Sequence, residues 1–137
     1  MTITHVEPSA AELRHAVKLL QDACYFAQVK AGWHTNLKTG EPFTAEEQHE
    51  KFPTRIALCH SELSESLEAH RKGAADDKLT HRPGAEVELV DAIIRIFDLG
   101  GTQNFDLAGA FVEKMEYNAK RADHKIANRQ ASGGKAY

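Results

Sequence analysis

The sequence predicts an all-α, bundle-like domain with no significant sheet, on three observations. Apolar residues recur at intervals of three and four in four separate stretches. Capping signals stand at several helix starts, with glycines at the ends. No stretch alternates apolar and polar residues as a strand would, and no internal repeat is present.

Each element follows from local chemistry. Pro8 and Ser9 open the first helix, where Ser9 and Glu12 have the spacing of a capping box. Leu13, Ala16, Val17, Leu20, Ala23, Cys24 and Ala27 form its apolar face, and Gly32 is placed to end it near Ala31. Residues 32–44 (GWHTNLKTGEPFT) form a loop rich in turn formers that carries the only Trp. Thr44 and Glu47 repeat the capping-box spacing before a short helix. Pro53 suits the first residue of the next helix, which runs to Lys72 and stops at Gly73. The polar stretch 74–84 (AADDKLTHRPG) reads as a mobile lid or disordered segment. A further helix covers about Ala85 to Leu99 and is expected to end at Gly100-Gly101. Asp106 caps the last one, Leu107 to about Arg121, with Leu107, Phe111 and Met115 on one face. The basic tail 122–137 is assigned no regular structure and reads as a flexible end to a single domain spanning 1–137.

Composition excludes some classes. A net charge of −3 over 137 residues gives no global attraction to nucleic acid. The apolar stretches are amphipathic or too short to span a bilayer, so no membrane partner is expected. MTITHVEPSA lacks the basic and apolar regions of a signal peptide. Cys24 and Cys59 each fall on an apolar helical face, which suits two buried thiols in a reducing cytoplasm better than a disulfide.

The chemistry concentrates in two acidic pairs, Glu62-x-x-Glu65 and Glu88-x-x-Asp91. Residues three apart share a helix face, so each pair aims two carboxylates the same way. On a helical wheel of 86–99 (EVELVDAIIRIFDL), Glu88, Asp91, Arg95 and Asp98 share one stripe roughly 80° wide. Apolar residues fill most of the remaining circumference, which argues for a largely buried helix whose polar stripe faces a cavity. Four converging carboxylates repel one another, and a hard cation with oxygen ligands, Mg²⁺ first, relieves them. A solvated helix face is the competing reading. The ExxH pairs Glu12/His15 and Glu46/His49 spell a di-iron pattern, a minor reading because His15 lies opposite Leu13.

HSELSESLEAHRKG, then EVELVDAIIRIFDLGG, then EKMEYNAKR and a closing GGK-x-Y together resemble the MazG-like nucleoside triphosphate pyrophosphohydrolases, over about residues 53–137. The Trp33 to Pro42 loop looks like that of the single-domain phage and bacterial members. The resemblance implies a MazG-type all-α domain that cleaves nucleoside triphosphates, dNTPs foremost, between the α and β phosphates. It implies Glu62, Glu65, Glu88 and Asp91 as Mg²⁺ ligands and catalytic residues. It implies Lys114, Asn118 and Arg121 as triphosphate contacts, and a dimer or a tetramer built from two dimers, in the cytoplasm (the host's if phage-encoded).

Residue chemistry agrees with those expectations. One Mg²⁺ would leave the four carboxylates net negative against an anionic substrate, so two or more ions are expected with nucleotide bound, with Mn²⁺ as a substitute. Glu65 is the weakly preferred general base. Lys114, Asn118 and Arg121 offer a point charge, an amide donor and a planar fork, though an ordinary basic surface would look the same. Lys125, Arg129 and Lys135 could add to them, and Arg95 shares the acidic stripe as a further substrate contact. Trp33 is a candidate to stack on the base, with His34 or Asn36 reading its edge, and burial against the first helix is the other reading. Tyr117 carries the same ambiguity. The alternative function is a non-catalytic nucleotide-binding or protein-interaction module, against which the intact acidic quartet argues.

Overall fold

A computed structural model describes residues 6–136. Met1–His5, at the start of the stretch read for a signal peptide, and Tyr137, which closes the GGK-x-Y pattern, lie outside the described residues. The fold is all-α. Its helices are α1 (Ala10–Lys30), α2 (Ala45–Glu50), α3 (Phe52–Lys72), α4 (Gly84–Thr102), α5 (Leu107–Lys120) and α6 (Ile126–Gln130). No strand forms among the described residues, only the isolated bridges Thr35–Pro42 and Ala75–Pro83. None of these helices is long and apolar enough to cross a membrane.

Both expected capping boxes form. The Ser9 amide donates to Glu12 at 2.8 Å and the Glu12 amide to the Ser9 hydroxyl at 3.3 Å. Thr44 and Glu47 make the same reciprocal pair at 2.7 and 3.2 Å. Helix α3 begins at Phe52, one residue before the expected start, with Pro53 in its first turn, and Gly73 ends it in the left-handed region at φ 60°. The 74–84 stretch is a folded connector rather than an open lid. The Asp76 carboxylate is buried and accepts from the Lys78 amide at 3.0 Å, while the Asp76 amide donates to the Arg82 carbonyl at 3.0 Å. Polar composition hides this, because one Asp turn supplies the bonds that a loop needs.

The chain divides into two compact units, residues 19–105 and residues up to 18 with those from 106 onward. In the first, α3 and α4 pack as an antiparallel hairpin. The Ser66 hydroxyl donates to the Ala85 carbonyl at 2.9 Å, and a Cβ on Gly84 would stand 3.1 Å from that of Ala69. Cys59, Ala92 and Leu99 are buried. Both cysteines are free thiols, and burial raises the pKa of each.

Helix α4 does not end at Gly100-Gly101. It continues to Thr102, because those glycines serve close packing rather than termination. A Cβ on Gly101 would lie 2.6 Å from the Tyr25 ring. Gly101→Ala is therefore expected to destabilise the protein by about 1–3 kcal/mol through overpacking, despite the better helix propensity of Ala; urea denaturation measures it.

The expectation that α4 is largely buried also needs correction. Leu89, Val90, Ile93 and Ile96 are each close to half exposed. On α3, Leu63 and Leu67 are open as well. The apolar circumference of the hairpin exceeds what this unit covers.

In the other unit, Asp106 caps α5 by accepting from the Gly109 amide at 2.8 Å, and Val17, Ala108 and Val112 are buried. Phe111 and Met115 are about half exposed. The tail holds regular structure that its composition did not suggest, a 3₁₀ turn at Ala122–His124 followed by α6. Asn128 ties the two by donating to the Ala122 carbonyl at 2.6 Å.

Candidate functional site

The hairpin register brings the acidic pairs together. With α3 and α4 antiparallel and Ser66 opposite Ala85, Glu62 and Glu65 on α3 face Glu88 on α4. One carboxylate oxygen from each of the three lies within 4.8 Å of the others. Among the described residues this is the one group of three such side chains able to share a cation, and neither ExxH pair forms another. Asp91 stands outside the trio, in the wall of an adjoining cavity that also includes Glu62.

Electrostatics record the crowding. The Glu88 carboxyl is pushed up to about 7, by burial first and then by the bond to Glu62 and the charges of Glu65, Glu62 and Asp91. Asp91 is raised too, by burial and then by Glu62, with Arg95 opposing. Glu62 is buried and accepts a bond from Nε of the half-exposed Arg95. Clustered carboxylate oxygens, with Glu88 and Asp91 held back from ionising, have the donor chemistry of a hard divalent cation site.

The cavity, about 740 Å³, lies within the unit 19–105. Trp33, Phe43, Leu58 and Ile94 give it apolar walls, with Gln28 and Thr54 between them. Lys51, Arg55 and Arg95 bring positive charge, and Glu62, Asp91 and Asp98 negative. Trp33 is 72% exposed, so it is a cavity wall and not a residue buried against α1. Lys51 Nζ sits 4.3 Å over the Phe43 ring.

Two residues suggested as readers of a base edge are engaged elsewhere. His34 is buried, with Nε2 2.7 Å from Asp98 Oδ1 and Nδ1 3.1 Å from Gln48 Nε2. The Asn36 side chain accepts from the Lys38 amide at 3.0 Å and reaches Glu47 at 3.4 Å, holding its own loop. Sequence reasoning placed Asp98 in the polar stripe but missed its partner, 64 positions away. It also missed Gln28, Phe43 and Thr54, and no local pattern marks any of them as cavity walls.

The basic set belongs to the other unit. Lys114 Nζ lies 4.8 Å and the Arg121 guanidinium 6.0 Å from the Tyr117 ring. Arg121 forms a fork with Asp123, at 2.9 and 2.5 Å, in the first turn after α5. Among the described residues the buried Asn118 Oδ1 has no hydrogen-bond partner. Arg129 donates to the Lys135 and Ala136 carbonyls at 3.2 and 2.9 Å, so in the tail it serves structure.

Comparison with protein-family models, curated proteins and solved structures finds no match, so the functional reading rests on these residues themselves.

Proposed function

We propose that this chain hydrolyses nucleoside triphosphates, dNTPs foremost, between the α and β phosphates, releasing pyrophosphate and a nucleoside monophosphate. The observation that carries the reading is the Glu62, Glu65 and Glu88 trio opening through Glu62 onto a cavity with aromatic and cationic walls. Glu62, Glu65, Glu88 and Asp91 are the residues to hold Mg²⁺, or Mn²⁺ in its place. When bound, the cation supplies charge neutralisation and a more acidic water.

The chain's own residues have distinct parts in this proposal. Glu65 is the exposed member of the trio and accepts from the Ser61 hydroxyl at 3.1 Å, which leaves it open to take a proton from water. Glu62 is committed to Arg95, which orients both and leaves the guanidinium at the cavity wall. The MazG-like resemblance further assigns the triphosphate to Lys114, Asn118 and Arg121, with Tyr117 beside them. For Arg121 that requires releasing Asp123.

The same proposal includes a second copy of the chain. Leu63, Leu67, Leu89, Ile93 and Ile96 expose apolar surface along the α3–α4 hairpin, and helices bury such stripes against another helical layer. A homotetramer is the proposed state with a dimer next, in the cytoplasm; light scattering returning a monomer at micromolar concentration would refute it.

Pyrophosphate release from a panel of dNTPs, NTPs and damaged nucleotides, with and without Mg²⁺, tests the activity. Release that needs the cation is the expected result. Nucleotide binding without release would identify the non-catalytic module instead.

A further inference from the structure

We propose that His34 is a positioning residue for nucleotide binding: its bond to Asp98 sets the loop that carries Trp33 and Phe43 against α4, and the space those rings enclose takes the nucleobase. The inference rests on the nucleotide reading above but concerns a group that the cleavage chemistry does not use.

His34 is 6% exposed and held from three directions. Its Nε2 meets Asp98 on α4 at 2.7 Å, its Nδ1 meets the Gln48 amide on α2 at 3.1 Å, and its ring packs edge-on to Tyr25 of α1 at 5.4 Å. The Asp98 carboxylate can only accept, so Nε2 donates to it, and a neutral ring then leaves Nδ1 to accept from the Gln48 amide. The Gln48 backbone carbonyl in turn accepts from the Gln103 side chain at 3.1 Å, which ties α2 to the end of α4.

Both aromatic walls hang from this residue. Trp33 precedes it in the chain, and the Phe43 amide donates to the His34 carbonyl at 2.8 Å. The Thr35–Pro42 bridge closes the loop between them. The Trp33 ring is largely exposed, so the placement of its open face over the cavity depends on the backbone that His34 anchors. A flat heterocycle stacks on such a face whatever its edge pattern, and pre-setting the face removes an ordering cost from binding.

Trp33 is the sole Trp, so its fluorescence reports on this wall directly. The experiment titrates dATP, dGTP, dCTP and dTTP into the wild type and variants with Mg²⁺ present. Inorganic tripolyphosphate, which has no base, competes in a parallel titration. Saturable quenching is expected for the wild type, with His34→Ala weakening dNTP binding by about tenfold while tripolyphosphate affinity stays within about twofold. His34→Gln, which keeps an N–H at the reach of Nε2, is expected to restore binding to within about threefold of wild type. If the Ala variant does not fold, His34→Asn, too short for Asp98, gives the same comparison. Three results overturn the proposal: no dNTP quenches wild-type Trp33, His34 variants bind like wild type, or base-free and base-bearing ligands weaken together. Quenching without pyrophosphate release would instead retire the hydrolase reading and leave the His34 assignment standing.

Discussion

Glu88→Gln is expected to cut pyrophosphate release by roughly a thousandfold while leaving the metal-free protein at least as stable as the wild type. Glu88 is where the fold resists negative charge most clearly. Its carboxyl is lifted from 4.5 to about 7, chiefly by burial, with Glu62, Glu65 and Asp91 adding to it. A carboxyl raised in the folded state contributes stability that is fully present below its unfolded value and lost as pH rises through its folded one. The wild type without metal should therefore lose stability between about pH 4.5 and 7 through this group, and the Gln variant should lack that component. Thermal melts in chelator at pH 5.5 and 8 measure it. A large drop in the variant's melting temperature at pH 8 would show that Glu88 is a structural bonding partner.

Glu62 should behave in the opposite way, although it belongs to the same trio. It is buried and paired with Arg95, so Glu62→Gln weakens a bond that the metal-free protein uses. Arg95 is partly solvated, so the cost should be nearer 1 kcal/mol than that of breaking a fully buried pair. Loss of activity with opposite signs in stability separates the two carboxylates.

Mg²⁺ should raise the melting temperature of the wild type and have little effect on Glu88→Gln. By linkage, cation at a hundredfold excess over its dissociation constant stabilises by about 2.7 kcal/mol. Binding requires Glu88 to lose its proton near pH 7, and Asp91 is raised as well. Mg²⁺ affinity should thus fall about tenfold from pH 8 to pH 6, with proton release on binding. Calorimetry in buffers of different ionisation enthalpy reads that release. An equal Mg²⁺ shift in the wild type and the Gln variant would place the cation elsewhere.

The elements of the fold were legible in the sequence where short-range chemistry decides them. Ser9 with Glu12, Thr44 with Glu47, Pro53 and Gly73 each act within one helical turn, and each marked a boundary to within one residue of where it was expected. Gly100-Gly101 misled, because a glycine pair signals a helix end locally but here admits the ring of Tyr25, far away in the chain. The tail misled for a related reason. Its second helical turn depends on Asn128 reaching back to Ala122, which composition does not encode.

The candidate site divides along the same line. The sequence by itself determined an all-α chain and two acidic pairs, each with a common face, because helical periodicity converts spacing into direction. Only the tertiary structure decided that Glu62, Glu65 and Glu88 converge while Asp91 turns to the cavity, since that depends on the register of one helix against another. It alone joined His34 to Asp98 and made Trp33 a wall, because bonds across 64 positions are set by packing and leave no periodic trace in the chain.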